Sequence, residues 1–417
     1  MAEVTSATVR MYRIGFGDCF LLSLGYADGP SRHVLIDFGR TRAPKNGPST
    51  EEIATDIARV CGADPVILVA THRHKDHVSG FAGKSWEALA GLNVVFVAQP
   101  WTEQPDLPPD ALGPLDAGAT DDAHRVALRD MSRLAGDLRE QARSFRDDLP
   151  RTLADEIEFL GDDNLGNAEA VRNLASFGER CGYLKAGDDA AFAPHLPGVT
   201  VRVLGPPTIE QWGEIRKKTD THAEYWHLRA FSTSATRDQG GDLPPLEVRD
   251  EAIPVPLHFQ WFQRRVRAAA AQEMLGILRS LDKAMNNTSL ILVFQVGKHQ
   301  WLFPGDAQIE NWSFALSDPE TRAMLERTTF YKVGHHGSLN ATPSSLWKSF
   351  ERRGADEGRL VTALSTLKGV HGSVQRRTEV PRRRLVDALR HESVLHRTDD
   401  GRAGLCDEIQ LIGGEPG

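Results

Sequence analysis

One stretch constrains this chain more than any other: Thr71-His72-Arg73-His74-Lys75-Asp76-His77. Before it runs Pro65-Val66-Ile67-Leu68-Val69-Ala70, a short apolar block that reads as a buried strand. After it, Val78-Ser79-Gly80-Phe81 reads as a loop turning into a helix. Three imidazoles and one carboxylate therefore sit within six residues at a strand end. Side chains two apart in extended backbone point the same way, so His72 and His74 can grip one ion together. Asp76 and His77 follow as the chain turns and can face a second ion. Neutral imidazole suits zinc and other divalent transition metals, and a carboxylate adds charge.

The chain is long enough, at 417 residues, for two average domains or one large domain with insertions. A hydrophobic share of 40% and a charged share of 25% are ordinary for a globular protein. The net charge of −8 excludes a basic nucleic-acid coat, although a local basic groove is still allowed. The four cysteines are far apart and form no Cys-x-x-Cys pair, so free thiols rather than a disulfide framework are expected. No signal peptide is visible at Met1-Ala2-Glu3-Val4-Thr5, and no apolar run approaches the ~18–20 residues of a membrane helix. The expectation is a cytoplasmic protein without a membrane partner.

Residues 8–40 alternate like paired strands, with Asp28-Gly29-Pro30 as the turn of a hairpin. Thr50-Glu51-Glu52 followed by Ile53, Ile57 and Val60 marks a helix that feeds the strand at 65–70. A helix and a strand follow over 83–98. Residues 99–198 then read as a helical insertion: a Pro-, Asp- and Gly-rich loop, a charged helical stretch carrying Val126, Leu128, Met131, Leu134 and Leu138, and a shorter helix over 167–178. Residues 199–205 return to strand, and Pro206-Pro207 stop it. Residues 208–285 form a second insertion, in which Trp212, Tyr225, Trp226, Phe259, Trp261 and Phe262 accompany Arg264, Arg265 and Arg267. Aromatics interleaved with arginines suit either base stacking or the core of a lid.

The core resumes at 286. Strands over 290–296 and 300–303 lead to Gly305-Asp306, a carboxylate able to reach the ions as a bridging ligand. Phe330-Tyr331-Lys332-Val333 is a strand that ends in Gly334-His335-His336-Gly337-Ser338, a third source of ligands. The sequence does not decide between the two imidazoles; His335 is the expected ligand. Strands alternating with helices, with ligands at strand ends, predict an α/β architecture over residues 1–417 as a single domain.

These pieces together resemble the metallo-β-lactamase-fold hydrolases. The motifs are Gly15-Phe16-Gly17-Asp18, Leu35-Ile36-Asp37-Phe38-Gly39, His72-x-His74-x-Asp76-His77, Asn287-x-Ser289-Leu290, Phe303-x-Gly305-Asp306 and Val333-Gly334-His335-His336-Gly337-Ser338. Their order and spacing are similar to the soluble hydrolase domain of the ComEC-type competence proteins and its free-standing relatives. The tail, with His371-Gly372, Val380-Pro381, a helix over 381–391 and His396-Arg397-Thr398-Asp399-Asp400-Gly401, is similar to the segment that closes that domain. The likeness covers roughly residues 7–98, 199–207 and 286–412 and omits both insertions.

The resemblance implies a four-layer αββα metallo-β-lactamase fold with two mainly helical insertions, and one or two divalent ions, Zn²⁺ or Mn²⁺. The expected ligands are His72, His74, Asp76, His77, Asp306 and His335, with Asp37 and Asn287 behind them. Many such enzymes carry a further ligand in a His-Thr-x-Gly-His segment. Here Asn286-Asn287-Thr288-Ser289 stands in that place. This departure points away from β-lactam or thioester hydrolysis and makes a His72, His74, Asp306 site weaker than an Asp76, His77, Asp306, His335 site.

The expected activity is hydrolysis of a phosphodiester, DNA or RNA among the candidates, by a metal-activated water. Asp76 is the expected water-orienting base as well as a ligand. His336 and His371 are the candidates to protonate the leaving oxygen or hold the phosphate. Arg376, Arg377, Arg382, Arg383 and Arg384 offer a basic surface near the tail. The competing readings are an ester or lactone hydrolase of the same fold and a non-catalytic, metal-stabilised partner protein.

Overall fold

Apolar residues fold the start of the chain into antiparallel strands, the second and third of which bury side chains on both faces of their sheet. A computed structural model describes residues 2–104, 114, 168–208, 210–212, 285–338, 342–354, 358–372 and 379–413. In it β1 (Val4–Tyr12), β2 (Cys19–Tyr26) and β3 (Arg32–Phe38) pair in sequence, with Val9 opposite Leu22 and Leu22 opposite Val34. The pattern then becomes continuously apolar, as strands covered on both faces require. β4 (Pro65–Val69) and β5 (Asn93–Pro100) accordingly join β3 in parallel, and β6 (Cys181–Leu184) adds a parallel edge.

The second sheet repeats this division. β7 (Thr200–Gly205), β8 (Ile291–Val296) and β9 (His299–Phe303) are antiparallel. β10 (Phe330–Lys332), β11 (Val361–Leu364) and β12 (Val394–Arg397) continue it in parallel. The last strand, β13 (Cys406–Ile412), returns to pair with β1, giving a first sheet of seven strands and a second of six. The tail is clamped there: Arg13 donates to Asp400 at 2.7 Å, to Asp407 at 2.6 Å and to the Thr398 carbonyl at 2.9 Å.

Three apolar clusters hold the sheets and helices. Val9, Leu22, Ile36 and Ile67 of the first sheet meet Val203, Leu292, Phe303 and Phe330 of the second. Phe20 lies edge-on to Phe303 across that interface, with ring centroids 6.2 Å apart, an arrangement worth about 0.5–1.5 kcal/mol beyond the buried area. On the other face of the first sheet, Leu21, Leu35 and Leu68 pack against α1 (Thr50–Cys61), α3 (Gly83–Leu89) and α4 (Ala168–Ala175) through Ile53, Ile57, Leu89 and Leu174. Between α1 and α3 lies α2 (Lys75–Val78), a single turn. On the far side of the second sheet, Val293, Leu302 and Tyr331 pack against α5 (Ile309–Ala315), α6 (Pro319–Glu326), α7 (Ser344–Ser349) and α8 (Arg383–Glu392) through Trp312, Leu325, Trp347 and Leu389. The α1 start is set by a capping box, in which Ser49 and Glu52 each satisfy the other's backbone N–H.

The molecule is thus an α/β protein with two mixed sheets and several helices. Residues 99–198 are not wholly an insertion, because Cys181–Leu184 is the edge of the first sheet. The helix expected over 167–178 spans Ala168–Ala175. The charged helical stretch over 121–160 and most of the aromatic and arginine segment lie outside the described residues. Among the described residues, no helix is long and apolar enough to cross a membrane. The four cysteines are free thiols.

Candidate metal centre

Each side chain of the site stands at the carboxyl end of a strand. Asp37 is next to last in β3, His72 to His77 follow β4, Asp306 follows β9, and His335 and His336 follow β10. That end of a parallel sheet is where the chain turns and loops converge. The two sheets bring their loops together there. Gly305 makes the approach possible: at φ 53° it sits where an added Cβ would be 2.8 Å from the Thr71 Cβ. Asp37, His335 and His336 also hold positive φ angles of 55°, 43° and 51°, a conformation costing a non-glycine residue about 1–2 kcal/mol.

Two groups of ligand atoms result, and Asp76 belongs to both. His72, His74 and Asp76 form one; Asp76, His77, Asp306 and His336 form the other; within each group all the atoms lie within 4.8 Å of one another. His72 Nε2 faces His74 Nδ1 at 3.0 Å. The Asp76 carboxylate lies 2.9 Å from His336 Nε2 through Oδ2 and 3.7 Å from His77 Nε2 through Oδ1. Asp306 Oδ2 lies 3.2 Å from His77 Nε2 and 3.5 Å from His336 Nε2. All six residues are buried.

Groups behind the ligands fix them. Asp37 accepts from the Thr71 N–H and the Thr71 hydroxyl, both at 2.7 Å, and faces His77 Nδ1 at 2.7 Å. His77 therefore presents Nε2 to the carboxylates, the arrangement by which an outer carboxylate sets a ligand imidazole's tautomer. The Ser289 hydroxyl accepts from the Asp306 N–H at 3.3 Å. Lys332, at the end of β10, forms an ion pair with Asp18 and donates to the Gly305 carbonyl at 3.0 Å. Asp18, Asp37 and His77 also cluster closely enough for a metal, but Asp18 is already paired with Lys332, and Asp37 with Thr71 and His77.

The electrostatics follow from burying four carboxylates together. Burial alone would strip His77 and His336 of their protons. Asp306, Asp37 and Asp76 outweigh it at His77 and hold that group well above its ordinary value. Asp306 and Asp18 do the same at His336, raised to about 10. Burial would likewise raise the carboxyls of Asp76 and Asp306, yet the neighbouring His77 and His336 hold both below the usual range. Burial raises Asp37, against the opposing pull of His77. His72 goes the other way, because burial and the neighbouring His77 and His74 all disfavour its charge.

These residues fit a divalent cation. Asp76 Oδ1 and His77 Nε2 are buried and make no hydrogen bond, although buried polar atoms are ordinarily paired. Both point into the four-residue group. Mixed imidazole and carboxylate donors suit such ions.

Some expected residues stand elsewhere. His336, not His335, lies in the four-residue group. The left-handed turn at both residues swings His336 inward, while His335 Nδ1 meets the Ser338 hydroxyl at 2.9 Å and its N–H donates to Asp306 Oδ1 at 2.9 Å. His371 forms an isolated bridge with Val380 and belongs to none of the three clusters. Asn287 donates to Glu310 at 2.9 Å, so Ser289 takes the supporting place expected of it. Asp18, Lys332 and Thr71 had no assigned role in the sequence reading. Asp18 and Thr71 stood inside quoted motifs, and a lysine within the apolar run Phe330-Tyr331-Lys332-Val333 was the signal of Lys332.

No protein-family model matches the chain, and no curated protein matches its sequence. The site's own geometry therefore carries the functional reading.

Proposed function

We propose that the chain is a metal-dependent hydrolase of phosphodiesters, built on a four-layer αββα metallo-β-lactamase fold. Helices packed on the outer faces of two stacked sheets support the fold reading. The observation that carries the function is the pair of buried His/Asp groups sharing Asp76. His72, His74 and Asp76 would hold one ion, and Asp76, His77, Asp306 and His336 the other; Zn²⁺ and Mn²⁺ both suit these donors. A bound divalent ion there supplies Lewis acidity, lowering the pKa of water and offsetting charge on a phosphoryl oxygen.

The chain's own groups do the rest. Asp76 Oδ1, free of hydrogen bonds, is available to orient a water. Asp37 keeps His77 in one tautomer. His336, held in the ligand group, gives up the proton-donor role expected of it. His335 takes over contact with the substrate: burial lowers it to about 4, so its neutral imidazole can hydrogen-bond a phosphate oxygen near neutral pH. By the resemblance, Asn286-Asn287-Thr288-Ser289 takes the place where many enzymes of that fold carry a further histidine, which favours phosphodiesters over β-lactams and thioesters.

The test is a panel of chromogenic substrates, a bis-aryl phosphodiester, a lactone and a β-lactam, each with Zn²⁺ or Mn²⁺. The parent should turn over the phosphodiester, and Asp76→Ala should lose roughly 10²–10⁴-fold. Turnover of the lactone or β-lactam alone would move the assignment to another bond class. Metal binding with no turnover of any substrate would favour a non-catalytic partner protein.

A further inference from the structure

Lys332 is a buried charge that the reading above leaves without a task. It is 2% exposed and sits directly behind the ligands. Its ammonium pairs with Asp18, donates to the Gly305 carbonyl at 3.0 Å and lies 3.4 Å from Asp306 Oδ1. The His335 N–H donates to that same Oδ1 at 2.9 Å. Asp306 Oδ1 is therefore committed to two donors, and only Oδ2 faces His77 and His336. On the other side of the ammonium, Asp18 stands 3.5 Å from His336 Nδ1, which also meets the Ser365 carbonyl at 3.2 Å, and the Asp18 N–H donates to the Asp76 carbonyl at 2.9 Å.

We propose that Lys332 is a positioning residue that restricts Asp306 to one ligand oxygen and, through Asp18, braces His336, so that the two ligand groups are unequal. This rests on the metal reading above. A lysine with its carboxylate costs free energy to bury, and apolar residues of the same volume often serve stability as well. The pair's location argues for a task in the site. One ammonium reaches two of the four ligands from behind. With Oδ1 withheld, Asp306 serves the group containing Asp76, His77 and His336. The group of His72, His74 and Asp76 gains no fourth His, Cys, Asp or Glu atom within 4.8 Å of all three among the described residues. One cation should therefore be held tightly and a second loosely.

The experiment is a chelator-competition titration of the full chain with Zn²⁺, paired with the absorption spectrum of bound Co²⁺. The parent should show one tight equivalent and one at least about tenfold weaker. Removing an outer partner of a ligand typically costs 10–100-fold in metal affinity. Lys332→Met should weaken the tight equivalent by that factor and change its Co²⁺ spectrum, leaving the weak one within about twofold. Because Lys332→Met strands a buried Asp18, the double variant Asp18→Asn with Lys332→Met is measured too, with circular dichroism as the check on folding. Folded variants with parental affinity and spectrum would overturn the positioning role. Two equally tight equivalents in the parent would overturn the inequality. A parent that binds no metal at all would remove the metal reading, and this proposal with it.

Discussion

At the scale of single residues, the site depends on groups that touch the ligands rather than on ligands alone. Asp37 shows this best, because its two oxygens serve the Thr71 backbone, the Thr71 hydroxyl and His77. In Asp37→Asn an amide N–H would oppose the His77 Nδ1 proton, so His77 would present the wrong tautomer. Zinc affinity should drop about 10–100-fold in a folded protein; an unchanged affinity would show that Asp37 does not orient His77. Legibility at this scale is uneven. The clustering of His72-x-His74-x-Asp76-His77 was readable because these residues are neighbours in sequence. The choice between His335 and His336 was not, because a turn with φ near 43° and 51° decides it. The pairing of Asp18 with Lys332 was not readable, because the two meet only across the fold.

At the scale of elements, periodicity carried most of the fold. The alternation in β1 to β3 and the apolar runs of β4, β5 and β8 were plain. β6 was missed because its four residues, Cys-Gly-Tyr-Leu, carry no pattern; only pairing with β5 makes them a strand. The pairing of β2 with β3 also carries a pH dependence. His33 of β3 is 4% exposed, meets the Ser23 hydroxyl at 2.9 Å and lies 3.5 Å from Asp64. Burial lowers its pKa below the ordinary value despite Asp64. The unfolded chain therefore binds the proton more readily, and the stability that His33 contributes, present above about pH 6.5, is lost as pH falls below it. Unfolding free energies measured between pH 7.5 and 5.5 should fall more steeply for the parent than for His33→Gln. Equal slopes would contradict the assignment.

At the scale of the molecule, the candidate centre joins the two sheets. Asp76 and His77 follow a strand of the first, Asp306 and His336 strands of the second. A cation in the four-residue group would bind the folded chain and not the unfolded one. It would stabilise the fold by about 2.7 kcal/mol at a hundredfold excess over Kd. Chelation should lower the Tm of the parent by several degrees, and Asp76→Ala should abolish the effect; a chelator-insensitive parent would contradict a bridging ion. The most direct test of the whole account is cleavage of end-labelled single- and double-stranded DNA and RNA with Mn²⁺ or Zn²⁺. The account predicts metal-dependent cleavage by the parent and none by Asp76→Ala. Parent protein that binds metal but cuts neither a strand nor the bis-aryl phosphodiester, or Asp76→Ala that cuts as well as the parent, would contradict it.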